Sequence, residues 1–294
     1  MSRKIKLNVK SNKSIVASPM NYIGGKAKLL PQMLPLFPDD INTFYDVFTG
    51  GLNVAANIEA ERIVANDMNT YVMEIAREFY HRDTTELLDT IHGYIDSYGL
   101  SKTNWEAFIK FRADYNANPS PLKLYTLICF SFNYQFRFNN QHEYNNPFGK
   151  NRSQFSERLE EKLIRFTMKL KEKNISFHTA PFEDLLGQSD FNKGDMVYLD
   201  PPYLITTGSY NDGNRGFKNW TINQEKLLLN VLDKLDGKGV KFALSNVIEH
   251  KGHTNDLLCD WASKYQIHYL DADYSNSSHN TSRKASVEVL VTNY

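Results

Sequence analysis

Along most of the chain, short apolar runs alternate with stretches whose apolar positions recur at helical spacing. Buried strands of a parallel sheet read as brief continuous apolar runs, and amphipathic helices as a 3.6-residue period. On that basis strands are expected at 44–48 (FYDVF), 62–66 (RIVAN), 175–178 (ISFH), 196–200 (MVYLD), 240–245 (VKFALS), 267–271 (IHYLD) and 286–292 (SVEVLVT). Helices follow most of them, for example Asn69 to His81 and Asn223 to Leu235. The pattern predicts an α/β fold, a parallel sheet with helices on both faces. Between Thr84 and Lys173 the strand signal disappears. Helices are expected there near 84–97, 103–117, 121–131 and 156–173, with an irregular stretch, NYQFRFNNQHEYNNPFGKNRSQ, before the last. A long helical insertion within an α/β pattern reads as a second lobe.

Composition narrows the class. At 294 residues and 41% apolar, the chain is long enough for one large domain or a domain carrying an inserted lobe. No apolar run is long enough to suggest a membrane span. The leader MSRKIKLNVKSNK is basic with no apolar run behind it, which argues against a secretory signal. Cys129 and Cys259, the only cysteines, sit in apolar or helical contexts. Neither a disulfide nor a metal site is expected, and a reducing cytoplasm fits this usage.

The net charge of zero conceals segregation. Residues 1–38 hold seven Lys/Arg and no acid, and residues 102–173 hold thirteen Lys/Arg against seven Asp/Glu. A positive surface on a neutral protein suits a polyanion, although a solvated helix face explains the charge equally well. Seventeen Tyr and eighteen Phe would serve base stacking or a core alike.

The strongest chemical signal is Asp200-Pro201-Pro202-Tyr203, placed directly after the apolar run Met196–Leu199. Ligands of open parallel sheets bind beyond the carboxyl ends of the strands, so an acid there is aimed at a site. The prolines fix φ and remove two N–H donors, leaving rigid carbonyl acceptors. An exocyclic amine offers two N–H donors and a lone pair drawn into its ring. Asp200 accepting one hydrogen and the Pro201 carbonyl the other would turn that nitrogen toward tetrahedral geometry. Tyr203 offers a stacking face. A strand-ending turn is the plain structural alternative.

Two weaker elements precede it. Asp46-Val-Phe48-Thr-Gly50-Gly51 follows a strand and reads as opening a helix, where glycines let backbone approach a cofactor. It lacks GxGxxG, and tight helix–strand packing explains Gly-Gly as well. Asn66-Asp67 ends the next strand, where an acid can accept from ribose hydroxyls, although Asp67 taken alone reads as a helix N-terminal residue. Asn21-Tyr22-Ile23-Gly24-Gly25-Lys26 sets a lysine after a Gly-Gly turn, able to pair with a carboxylate or phosphate. It is not a P-loop, and alone it reads as an ordinary cap.

In that order, NYIGGK, DVFTGGLNV, ND and DPPY resemble the DNA adenine methyltransferase (Dam) family, its phage-type members above all. The likeness runs from about Ala17 to Tyr294 and includes FRADYN, NNPFGK and LSNVIEHKG. It implies a Rossmann-like methyltransferase fold, a mostly parallel seven-stranded sheet with an inserted helical target recognition lobe. Residues 17–83 and 174–294 would bind S-adenosylmethionine, 84–173 would read double-stranded DNA, and 1–16 would be a basic extension.

The implied reaction is methyl transfer to N6 of a flipped-out adenine, with no metal. Tyr22, Lys26, Asp46, Phe48, Gly50, Asp67 and Asp200 would hold the cofactor, and Phe182 would line its adenine end. Asp200, Pro201, Pro202 and Tyr203 would act at the amine. Arg137 matches a guanine-reading arginine, which makes GATC the implied site. Arg112, Tyr134, Gln135, Asn139, Pro147 and Lys150 would also contact DNA. Gln135, where a bulkier apolar wedge stands in relatives, and Asn151, in place of a basic residue, depart from the family pattern. A homodimer on DNA and a cognate restriction endonuclease are both compatible with this reading. A cytosine-N4 methyltransferase would share the chemistry but is expected to carry Ser-Pro-Pro-Tyr. A DNA-binding module that keeps the fold without catalysis is the remaining alternative.

Overall fold

A computed structural model of the chain describes residues 15–206, 220–271 and 286–294. The expected basic extension therefore lies almost wholly outside the described residues. In chain order the elements are α1 (Leu30–Met33), β1 (Thr43–Asp46), β2 (Arg62–Asn66), α2 (Thr70–His81), α3 (Thr84–Tyr98), α4 (Trp105–Ala117), α5 (Pro121–Cys129) and α6 (Glu157–Lys171). They continue with β3 (Ile175–His178), α7 (Phe182–Gln188), β4 (Met196–Leu199), α8 (Ile222–Gly237), β5 (Lys241–His250), β6 (His253–Thr254), α9 (Asp256–Ala262), β7 (Gln266–Leu270) and β8 (Ser286–Thr292).

The sheet order is β3-β2-β1-β4-β5-β8-β7, with the two-residue β6 paired to β5 off that path. Strands β3, β2, β1, β4 and β5 run parallel, and β8 is antiparallel to both neighbours. This is the Rossmann-like, mostly parallel arrangement expected of the chain. The direction of winding reverses between β1 and β4, the position at which doubly wound sheets open a crevice.

Period-two alternation divides each strand between two cores. Phe44, Ile63, Met196, Tyr198, Ala243 and Leu290 face one cluster. Tyr45, Val64, Val197, Leu199, Phe242, Leu244, Val289 and Val291 face the other, beneath α7, α8 and α9. The first cluster continues through α2 into the helical insertion: Phe79 meets Tyr125 edge-on, and Tyr71 stacks on Phe138 at 4.0 Å. Helix starts carry their caps. Asn69 accepts from Tyr71 N and Val72 N, and Thr221 with Gln224 forms a reciprocal capping box on α8.

The helix expected after Gly51 is instead a run of turns. Leu52 takes a left-handed φ of 61°, which an α-helix excludes. Asn53 and Asn57 turn their amides sideways to the strand-like lead-in, accepting from Ser18 N and Val16 N. Strand β5 runs five residues past the expected 245, because its polar second half pairs with β8.

Candidate active site

A cavity of about 850 Å³ opens beyond the carboxyl ends of β1, β2 and β4. Tyr22, Lys26, Asp46, Phe48, Gly50, Asp67, Phe182 and Asp200–Tyr203 all line it. Three stretches far apart in sequence thus converge on one space, since β1 lies between β2 and β4.

At its centre Lys26 Nζ approaches Asp200 Oδ2 at 2.7 Å and donates to Gly24 O at 2.9 Å. Lys26 is 4% exposed and Asp200 15%. The lysine that could have faced a phosphate faces the motif carboxylate. Tyr203 donates its hydroxyl to Asp200 Oδ1 at 2.9 Å, and Lys26 Nζ sits 5.1 Å from the centre of its ring. Burial raises the Asp200 pKa above the ordinary carboxylate value, and Lys26 opposes that rise. Burial also lifts the Tyr203 phenol well above its ordinary range, with Asp200 adding to the shift.

Around this pair the turn after β1 forms a cradle. Gly50 adopts φ +48°, and a Cβ there would lie 3.0 Å from the Tyr22 ring. Gly50 N donates to Asp67 Oδ2 at 3.0 Å, and Asn69 N to Asp67 Oδ1 at 2.8 Å. Two backbone donors thereby fix the Asp67 carboxylate at the end of β2. Asn69 Nδ2 in turn donates to the Tyr22 hydroxyl at 3.2 Å.

Asp46 is buried, and its Oδ2 accepts from Thr49 Oγ1 at 2.9 Å. Its Oδ1 meets no hydrogen-bond partner among the described residues. Burial pushes its pKa up to about 7, with Thr49 opposing and Asp200 adding. The folded value thus exceeds the unfolded one, so folding takes up a proton between them. The stability this confers is present below the ordinary carboxylate range and is lost as pH rises through about 7. Asp46→Asn is therefore expected to gain on the native chain in urea midpoint as pH rises from about 5 to 8. A difference that stays constant across that range would refute the assignment.

Sequence reasoning missed part of the wall. Tyr198, Trp220, His250, Ser286 and Glu288 also line the cavity. The Trp220 ring lies edge-on to Phe48 at 5.9 Å and tilted to Phe182 at 5.8 Å, closing an aromatic corner. No local spacing announces Trp220. A lone aromatic before a capping box is the most that could be noticed.

The residues expected to meet DNA do not line the cavity; they lie in and beside the irregular 131–153 segment. Arg137, Pro147 and Lys150 are exposed there. Arg112 donates to Asn146 O at 3.3 Å, and its guanidinium lies 5.8 Å from the Phe108 ring centre. Gln135 O accepts from the Tyr144 hydroxyl, and Tyr134, at φ +54°, donates to Arg152 O at 3.5 Å. Asn139 accepts from Gln141 N and Glu143 N and donates to Glu143 Oε2, so its amide serves the loop. Contacts join this segment to the Asn21–Tyr22 stretch at the cavity wall: Asn21 Nδ2 donates to Asn133 O at 3.2 Å, and Tyr22 meets Phe136 edge-on at 5.5 Å.

Comparison with known proteins accords with this geometry. Residues 22–276 match the family described as D12 class N6 adenine-specific DNA methyltransferase. The chain is 55% identical over 293 residues to the type II methyltransferase M.FokI of Planomicrobium okeanokoites, covering 100% of this chain and 45% of that protein. It is 53% identical to the modification methylase StsI of Streptococcus sanguinis, covering 98% and 44%. With the DNA adenine methylase of Escherichia coli (strain K12) it shares 23% identity, covering 92% and 93%. The chain thus spans less than half the length of the first two relatives.

Proposed function

From a chain that belongs to the D12 class N6 adenine-specific DNA methyltransferase family, we propose an enzyme that moves the methyl group of S-adenosylmethionine to N6 of an adenine in duplex DNA. The observation that carries this is the single cavity holding the DPPY stretch, the glycine turn and Asp67 together.

The cavity suits the cofactor in shape and in donor set. At Gly50 a Cβ would press on the Tyr22 ring at 3.0 Å, so the bare glycine lets the turn lie close against that wall of the cavity. Asp46 Oδ1 is a buried acceptor available to an ammonium group, Asp67 is placed for ribose hydroxyls, and Phe48 and Phe182 for a purine. Tyr22 and Lys26 complete the lining. When bound, S-adenosylmethionine supplies an electrophilic methyl on a sulfonium. The chain's task is to place and orient the attacking nitrogen.

Asp200 accepts one hydrogen of the exocyclic amine and the Pro201 carbonyl the other. Lys26 favours the anionic form of the carboxylate against its burial and aims it. In the structure the Tyr203 hydroxyl occupies one lone pair of Asp200, so the phenol turns aside as the base enters and its ring becomes the stacking face. The target base reaches this depth only by leaving the duplex, at an unstacking cost of a few kcal/mol.

We assign residues 84–173 to DNA recognition. Arg137 reads a guanine edge, while Arg112, Tyr134, Gln135, Pro147 and Lys150 flank it. Asn139 shapes the loop that presents Arg137. GATC is the first site to test, on the resemblance to Dam. Identity of 55% to the type II methyltransferase M.FokI and 53% to the modification methylase StsI, against 23% to the DNA adenine methylase, favours a role beside a restriction nuclease.

The test is exposure of unmethylated DNA to the purified chain and S-adenosylmethionine, followed by single-molecule sequencing that detects modified bases. N6-methyladenine in one short context supports the reaction, and that context reads out the site. Methylated cytosine, or DNA binding without any modified base, would overturn it.

A further inference from the structure

Behind the aromatic corner lies a carboxylate that the reaction does not use. Glu225, in the first turn of α8, is completely buried. Its Oε2 accepts from Trp220 Nε1 at 2.6 Å, and its Oε1 accepts from Asn246 Nδ2 and Asn255 Nδ2, each at 3.3 Å. All three donors are neutral.

The amides cannot be turned round. Asn246 Oδ1 is taken by Val247 N at 2.7 Å, and Asn255 Oδ1 by Leu258 N at 3.2 Å, where it caps α9. Three N–H groups from α8's approach, β5 and the start of α9 therefore converge on residue 225. Only a group that accepts at both oxygens satisfies them all, and among side chains that is an ionised carboxylate. Burial raises the Glu225 pKa, and the hydrogen bonds from Trp220, Asn255 and Asn246 oppose that rise by favouring the carboxylate. A well-packed apolar residue is often neutral or stabilising in place of a buried ion, so stability alone is a weak reason for a carboxylate here.

The shortest of its bonds goes to the indole that lines the cavity against Phe48 and Phe182. We propose that Glu225 is a positioning residue which, through Trp220, sets the slot that grips the cofactor's purine ring. This rests on the cofactor reading above and extends it to a residue that never touches the ligand.

The side chain at 225 then governs affinity and not the chemical step. Glu225→Gln presents an N–H either to the indole N–H or to the two amides, and the corner shifts. Titration calorimetry with S-adenosylmethionine, and separately with S-adenosylhomocysteine, reads this without turnover. E225Q is expected to weaken both by about tenfold, in line with loss of one hydrogen bond to a charged acceptor. Its kcat at saturating cofactor should stay within about twofold of native, because uniform binding alone is lost. W220F keeps an aromatic ring but is smaller and lacks the N–H, and should lose at least as much. The W220F/E225Q pair should be no worse than W220F alone, because both changes break one contact.

Native affinity in E225Q, or losses that multiply in the double variant, would overturn the proposal. If E225Q does not fold, W220F carries the test, and native affinity there has the same meaning. A native chain that binds neither ligand would instead overturn the cofactor reading itself.

Discussion

Asp200→Ala is expected to lower methyl transfer by about 10²- to 10³-fold or more, the usual effect of removing one preorganised polar contact to a group whose charge changes. DNA binding should persist, because the proposed DNA contacts lie outside the cavity. The same change strands Lys26, 4% exposed, with Gly24 O as its one remaining acceptor among the described residues. Breaking a buried ion pair from one side typically costs about 3–5 kcal/mol, so a fall in urea midpoint should accompany the loss of activity. The two effects separate in the double variant Asp200→Ala/Lys26→Met. Removing the orphaned ammonium should recover much of the midpoint and none of the rate. Recovery of rate together with stability would show Asp200 to be structural, and the chemistry would have to be sought elsewhere in the cavity.

Arg137→Ala should act in the opposite manner, sparing the fold and the chemical step while blurring the choice of site. The side chain is exposed, so its removal is expected to leave the thermal midpoint unchanged. A bidentate arginine–guanine contact is worth about 1–3 kcal/mol of discrimination, roughly tenfold to a hundredfold. Methylation rates on the preferred site and on variants changed at one base pair would converge by that factor. Arg112→Ala offers a contrast, since its guanidinium braces Asn146 and Phe108. It should weaken binding to every sequence alike. If Arg137→Ala did the same, with the ranking of sites preserved, its role would be phosphate contact.

Much of this fold is legible in the chain because parallel strands buried on both faces leave unbroken apolar runs. Met196–Leu199 is buried at all four positions and could be read as little else. The DPPY stretch was readable for the same reason, since a strand of that kind delivers whatever follows it to the crevice. Local propensity failed where distant partners decide conformation. The stretch after Gly51 has helix-forming residues, yet Asn53 and Asn57 bond to Ser18 and Val16, and Leu52 turns left-handed. The end of β5 was obscured because polar residues Asn246, Glu249 and His250 break the apolar run, whereas pairing with the distant β8 carries the strand on to His250. The pairing of Trp220 with Glu225 was not legible, because the two stand five positions apart and the rest of their network comes from β5 and α9.

The adjacency of β1 and β4 also bears on how the chain reaches its native state. Tyr45 lies in register with Val197, so the two halves of the crevice are joined only after a loop containing β2, the whole helical insertion and β3 has closed. Closing so long a loop adds little to the equilibrium cost, which grows only logarithmically with length. Its effect falls on rate, since non-local pairings of parallel strands are slow to form. During synthesis the segment through β2 would emerge with its glycine turn in place and no β4 beside it. The cavity is consequently among the last features to form, and cofactor added during refolding should stabilise the finished state without hastening its arrival.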